Sequence, residues 1–162
     1  MSAVVIDETS LDSVEHASAV VELLDCFARE PLILGRGLPQ EVQLAIVPEL
    51  RKRPGALVLL ASEEGRAVAL AICFEGFSTF SARSLLNIHD LYVCESHRGQ
   101  GLGAKLIGVI EEEARQRNCC AITLEVRGDN LTAQRLYSRC GFTGTAAVSP
   151  SDAHGFWQKK LL

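Results

Sequence analysis

The sequence is poor in what a membrane protein, a secreted disulfide scaffold or a nucleic-acid binder would carry. No apolar run approaches the ~18 or more residues that a membrane span requires. The opening, MSAVVIDETSLDSVEH, lacks the basic start, apolar middle and small-residue cleavage site of a signal peptide. A cytoplasmic protein with no membrane partner is therefore expected. Six cysteines are present, Cys26, Cys73, Cys94, Cys119, Cys120 and Cys140, but they are scattered without a CxxC spacing and read as reduced, mostly buried small residues. The four histidines, His16, His89, His97 and His154, form no HxxxH or Cys/His pair at ligand spacing, so no metal is expected. Excess positive charge is also missing. A net charge of −4 argues against a nucleic-acid partner, which demands a basic face, and weakly suits a cationic small substrate.

What remains is an ordinary soluble composition, 48% hydrophobic and 22% charged, over 162 residues, enough for one domain spanning 1–162. AVVIDE suggests a first strand. From Ser10 the residues Leu11, Val14, Ala17, Val20, Val21, Leu24 and Phe27 recur at helical spacing, with Ser10 or Asp12 as cap and Pro31 as stop. LPQEVQLAIVPELRKRPG predicts a second helix from about Pro39, interrupted or bent at Pro48 and ended by Pro54-Gly55. ALVLLAS and RAVALAICFEGF are strand-like runs joined by EEGR, a tight hairpin. SLLNIHDLYV is the next strand. A glycine-rich turn, an amphipathic helix from Gly101, and the buried-type strand CAITLEV then make a βαβ unit whose strands should run parallel. DNLTAQRLYSRCGF follows as a short helix with Asp129 or Asn130 as N-cap and Gly141 as a left-handed stop. After the polar break SPSD, HGFWQKKLL reads as a last strand.

The turn carries the chemistry. Gly99, Gly101 and Gly103 stand behind Arg98 and in front of a helix, where bare backbone and unpaired N–H groups at a positive dipole end receive an anion. Taken alone, Gly99, Gly101 and Ala104 also satisfy the G-x-G-x-x-G/A dinucleotide pattern, with Glu125 near the distance of a ribose-binding acid. Against a dinucleotide, CESHR separates the turn from its strand, antiparallel strands precede it, and only about sixty residues remain for a second half-fold.

Arg98-x-x-Gly101-x-Gly103 after LYV, followed by Asn130, Ala133, Leu136, Tyr137, Gly141 and Phe142, resembles the paired signature of the GNAT superfamily of N-acetyltransferases. The resemblance spans about Ile88 to Phe142. It implies an α/β (α+β) fold with a mixed, mostly antiparallel central sheet, a parallel splayed strand pair and helices on both faces. It also implies acetyl transfer from acetyl-CoA to the primary amine of a small molecule such as a polyamine, an amino acid or an aminoglycoside. By the same resemblance, Arg98, Gly99, Gln100, Gly101, Leu102, Gly103 and Ala104 hold the pyrophosphate. The backbone of Leu91, Tyr92 and Val93 pairs with the pantetheine arm, and Asn130 and Ala133 lie beside it. Tyr137 protonates the leaving thiolate. His89 stands at the base position with Asp90 next to it, and a water chain is a third route for the proton. Transfer is direct in a ternary complex, since no base is paired with Cys94 to make it a nucleophile. Phe74, Phe77, Phe80 and Trp157 are offered as acceptor-pocket residues or as ordinary core and edge. Lys105, Arg135 and Arg139 are candidates for the outer phosphate. A non-catalytic acyl-CoA sensor remains the competing class, and a homodimer is left open.

Overall fold

In the computed structural model, which describes residues 3–144 and 154–161, seven strands form one sheet in the order β1-β2-β3-β4-β5-β7-β6. The elements follow the chain as β1 (Val5–Glu8), α1 (Val14–Ala28), α2 (Gln40–Arg51), β2 (Ala56–Glu63), β3 (Arg66–Ser78) and β4 (Arg83–Val93). A 3-10 turn (Glu95–His97), α3 (Leu102–Gln116), β5 (Ala121–Arg127), α4 (Leu131–Arg139), β6 (Thr143–Gly144) and β7 (His154–Lys160) complete it. Among the described residues the one parallel pair is β4 with β5, as the intervening helix requires. The described chain divides into two compact units, with boundaries between Ile72 and Cys73, His89 and Asp90, and Leu106 and Ile107.

The first unit holds β1, both N-terminal helices, β2, most of β3, the tip of β4 and the glycine turn. Leu57–Ala61 and Val68–Ile72 are buried without alternation, the pattern of strands covered on both faces. Glu64 and Gly65, with φ of 51° and 78°, make the two-residue hairpin that EEGR announced. The helix start differs from expectation: Ser13, not Ser10 or Asp12, caps α1 by accepting from His16 N at 3.4 Å. Ser10 is spent on a turn, its carbonyl accepting from Ser13 N, so the helix begins one turn later. It also ends at Ala28, before Pro31. Pro48 does not interrupt α2, because buried Val47 and Leu50 hold the helix through the missing N–H bond. Asp25 ties the α1–α2 connection down by accepting from Leu38 N at 2.7 Å, and that bond, aided by Arg29, holds its carboxyl below the usual range.

The second unit centres on β5, with β4 parallel on one side and β7 antiparallel on the other from Ala121↔Lys160 to Arg127↔His154. Ile107, Ile110 and Ala114 form the buried face of α3. Glu111 on α3 accepts from Lys159 at 2.6 Å and Arg115 at 2.8 Å. Asn130, rather than Asp129, caps α4, and Gly141 ends the following turn at φ +87°. The two-residue strand β6 was not foreseen; Gly144 is required there because a Cβ would meet the Trp157 ring at 2.4 Å. The break SPSD lies outside the described residues.

No described helix is long and apolar enough to cross a membrane.

Candidate functional site

The glycine turn is built from the sequence outward. At Gly99 and Gly101 the backbone takes φ of +73° and +80°, values that cost an L-residue roughly 1–2 kcal/mol, and a Cβ there would meet no protein atom within 4 Å. The glycines are thus demanded by the chain's path, and the surface over them is open. The first helical bond runs from Lys105 N to Gly101 O, so the N–H groups of Leu102, Gly103 and Ala104 have no partner four residues back. Unlike Gly99 and Gly101, Gly103 lies within the helix. Gln100 donates from its side chain to Ser96 O at 3.2 Å, closing the turn on itself.

Arg98 is committed within the protein. Its Nε donates to Val93 O at 2.9 Å, an Nη donates to Glu30 at 2.7 Å, and its guanidinium lies 5.6 Å from the centroid of the Tyr92 ring. The Glu30 bond raises its pKa further. Beside it, His97 shares hydrogen bonds with Ser96 Oγ at 2.8 Å and with Glu63 Oε2 at 3.0 Å. The basic residues ahead of the glycines therefore moor the turn to β4, to Glu30 just past the end of α1, and to the end of β2. Neither Glu30 nor Glu63 was legible as part of this arrangement, because both partners lie more than thirty residues away in sequence.

Tyr92 is buried against Phe27, with ring centroids 5.6 Å apart, and burial pushes its hydroxyl pKa up. Leu91 and Val93 are half-buried. Cys94 N donates to Val68 O at 2.9 Å, fixing the end of β4 to β3. Burial also raises the Cys94 thiol, away from the thiolate that a nucleophile needs.

The other expected residues fall in the second unit. Asn130 Oδ1 accepts from Ala133 N at 3.1 Å, so the cap consumes the Ala133 amide and leaves the Asn130 amino group. Tyr137 is buried on α4 with its ring 5.8 Å from Phe142, and desolvation drives its pKa to about 12. His89 is exposed and lies edge-on to Phe74, ring centroids 5.4 Å apart, so it is not a buried structural ring. Asp90 is half-buried and belongs to the first unit.

The parallel register adds a residue that the sequence reading had cast in another role. Asn87 pairs with Thr123 and donates to its hydroxyl at 3.0 Å, so these side chains share a face. The ladder ends at Ile88↔Leu124. Alternation then carries His89 and Glu125 onto the face of Asn87 and Thr123, in neighbouring strands. Glu125 is exposed, as is its β7 partner Phe156. Its signal was a single acid in the apolar strand AITLEV, which marks the open face. Of the four aromatic candidates, Phe74 lies on His89, Phe77 and Phe80 are exposed near the hairpin tip, and Trp157 is buried opposite Leu124. Arg135 and Arg139 line a hollow of about 490 Å³ with Leu131 and Trp157. Among the described residues no group of three metal-ligating side chains converges.

The sequence pattern of the acetyltransferase (GNAT) family matches residues 20–142. An acetyltransferase of Agrobacterium fabrum is 39% identical over 75 residues, 46% of this chain and 53% of the relative. The L-methionine sulfoximine/L-methionine sulfone acetyltransferase of Salmonella typhimurium is 32% identical over 100 residues, 62% of this chain and 58% of its own. The thialysine N-epsilon-acetyltransferase of Bos taurus is 32% identical over 74 residues, 46% of this chain and 43% of the relative. The chain thus spans about half the length of the curated relatives it matches. Among solved structures, yncA of Salmonella typhimurium, described with its cofactor acetyl-CoA, superposes with a TM-score of 0.75 at 24% identity, covering 98% of this chain and 94% of that one. A ribosomal-protein-alanine N-acetyltransferase from Brucella melitensis gives a TM-score of 0.69 at 22% identity, covering 92% and 96%. At those identities the structures speak for the fold alone.

Proposed function

The chain belongs to the acetyltransferase (GNAT) family, and from that premise we propose that it transfers the acetyl group of acetyl-CoA directly to the primary amine of a small molecule. The observation that carries this reading is the moored glycine turn: two left-handed glycines under open space, at the start of a fifteen-residue helix. A pyrophosphate fits such a cradle because its oxygens accept from successive backbone N–H groups at a positive dipole end. Two of the relatives are named for amino-acid-like acceptors, which supports a small amine.

In the step itself the amine nitrogen bonds to the thioester carbon, the C–S bond breaks, the nitrogen loses a proton and the sulfur gains one. Glu125 offers a carboxylate to the incoming ammonium, and His89, on the same face, takes the first proton, whose loss frees the amine for attack. The second, shed by nitrogen after the C–N bond forms, balances the one that sulfur gains. Tyr137 supplies the hydrogen bond to sulfur. At a pKa of about 12 it stays protonated throughout the neutral range. Full transfer to an ordinary thiolate, conjugate acid near ~8.5, would run uphill by about 5 kcal/mol. Its hydroxyl therefore serves first as a donor to the developing negative charge. The proton follows only to the extent that the same apolar surroundings raise the thiol, as they do for neighbouring Cys140.

Thiol release from acetyl-CoA across a panel of amines tests the reading. Amine-dependent release by the wild type, reduced in Tyr137→Phe, supports it. If acetyl-CoA binds and no amine raises release above hydrolysis, the chain is an acyl-CoA sensor and the transferase reading fails.

A further inference from the structure

The sheet face that carries His89 and Glu125 continues, inside the same unit, into an open groove of about 430 Å³. Its floor follows from the strand registers. Glu125 pairs with Phe156, Thr123 with Gln158, and Ala121 with Lys160 across β5 and β7, while Leu85 and Arg83 continue the β4 side. Going down the face, the side chains pass from an acid and two aromatic neighbours, through the neutral polar row of Asn87, Thr123 and Gln158, to Arg83 and Lys160 beside Ser78 and Ser81. Both cations are exposed, and neither is paired with an acid among the described residues. Of the other cations of this unit, Lys159 and Arg115 are neutralised by Glu111 and Arg127 by Asp129, while Arg135 and Arg139 line the separate hollow beside Trp157. Glu125, at the opposite end, likewise has no cation partner among the described residues.

We propose that this groove receives an anionic group of the acceptor, so that the substrate is an elongated amine bearing a carboxylate or similar anion about 13 Å from its nitrogen. The separation is the rise of four strand residues, Phe156 to Lys160, at ~3.3 Å each. The proposal rests on the transferase reading above, with the amine at His89 and Glu125. Charge decides the class. An amine end meets Glu125, an anionic end meets Arg83 and Lys160 with hydroxyl donors from Ser78 and Ser81, and the neutral row between them suits an uncharged linker. A polyamine of that length would set a second ammonium against the two cations, which disfavours it.

An extended tetrapeptide spans about 13–14 Å and serves as a ruler. Tetra-alanine with a free C-terminal carboxylate and the same peptide as its C-terminal amide differ by one charge. The acid is expected to show a kcat/KM about fivefold above the amide at low ionic strength, the scale of exposed ion pairs. The gap should shrink as salt is added and vanish in the Arg83→Ala/Lys160→Ala variant, with melting temperature confirming that the variant is folded. Equal rates for acid and amide in the wild type, a gap that survives the double substitution, or turnover of other amines but of neither peptide would each overturn the proposal. Should no amine turn over at all, the transferase reading falls instead. Calorimetric binding of acid against amide to wild type and variant then still decides the groove: a matching preference, lost in the variant, sustains it, and equal binding rejects it.

Discussion

Arg98 spends its side chain on Val93, Glu30 and the face of Tyr92, so its loss should act through the position of the turn. Arg98→Ala is expected to raise the KM for acetyl-CoA about tenfold with a smaller change in kcat. Glu30→Gln, which removes one mooring bond, should reproduce part of that rise. Because the pair is partly exposed, at 43% and 33%, neither substitution should cost more than about 1 kcal/mol in a urea titration. Tyr137→Phe should behave oppositely, lowering kcat by about 10² or more while leaving the KM for acetyl-CoA nearly unchanged, as steady-state kinetics would read. The glycines and Tyr137 were legible in sequence because residue type and spacing are written there. The Arg98–Glu30 bond and the neighbouring face of Glu125 were not, since they depend on pairings formed only when distant segments meet.

α4 presents Tyr137 and is only nine residues long, too short to persist without its cap and its packing. Replacing Asn130 with Ala removes the acceptor for Ala133 N and should destabilise the protein by about 1 kcal/mol, a fall of roughly 2–4 °C in melting temperature for a chain of this size. Any additional loss of kcat beyond that structural effect would report the Asn130 amino group at the coenzyme. Elements with a strong period or an obligatory turn could be read from sequence: the Glu64-Gly65 hairpin, α3 and the left-handed Gly141. The start of α1 could not, because SLDS offers several capping residues within one turn and only tertiary packing selects Ser13. β6 escaped notice because two residues show no alternation, and its glycine is dictated by the Trp157 ring of another strand.

Over the whole molecule, burial raises the pKa of Tyr137 and Tyr92, and of the Cys94, Cys119 and Cys140 thiols. Each group is neutral when protonated, and the folded state holds its proton more tightly than the unfolded chain. The stability they contribute is therefore complete at neutral pH and is lost as pH rises, from about 9 for the thiols and about 10 for the tyrosines. For Tyr137, between an unfolded value near ~10 and a folded value of about 12, the loss approaches 3 kcal/mol. Urea midpoints measured from pH 8 to 12 should fall, and Tyr137→Phe should remove the share of Tyr137 in the fall between pH 10 and 12, leaving that of Tyr92. The mixed, mostly antiparallel sheet and its parallel pair followed from the sequence through the crossover rule and the resemblance to a known family. The groove proposed for the acceptor did not, because it is one sheet face assembled from β3, β4, β5 and β7. Everything proposed for catalysis depends on the glycine turn receiving coenzyme A, and calorimetric titration of wild type and Gly101→Val with coenzyme A and with a nicotinamide dinucleotide tests that most directly. Saturable binding of coenzyme A by the wild type, lost in the variant and without dinucleotide binding, is the predicted result; no coenzyme A binding, or tighter binding of the dinucleotide, would contradict it.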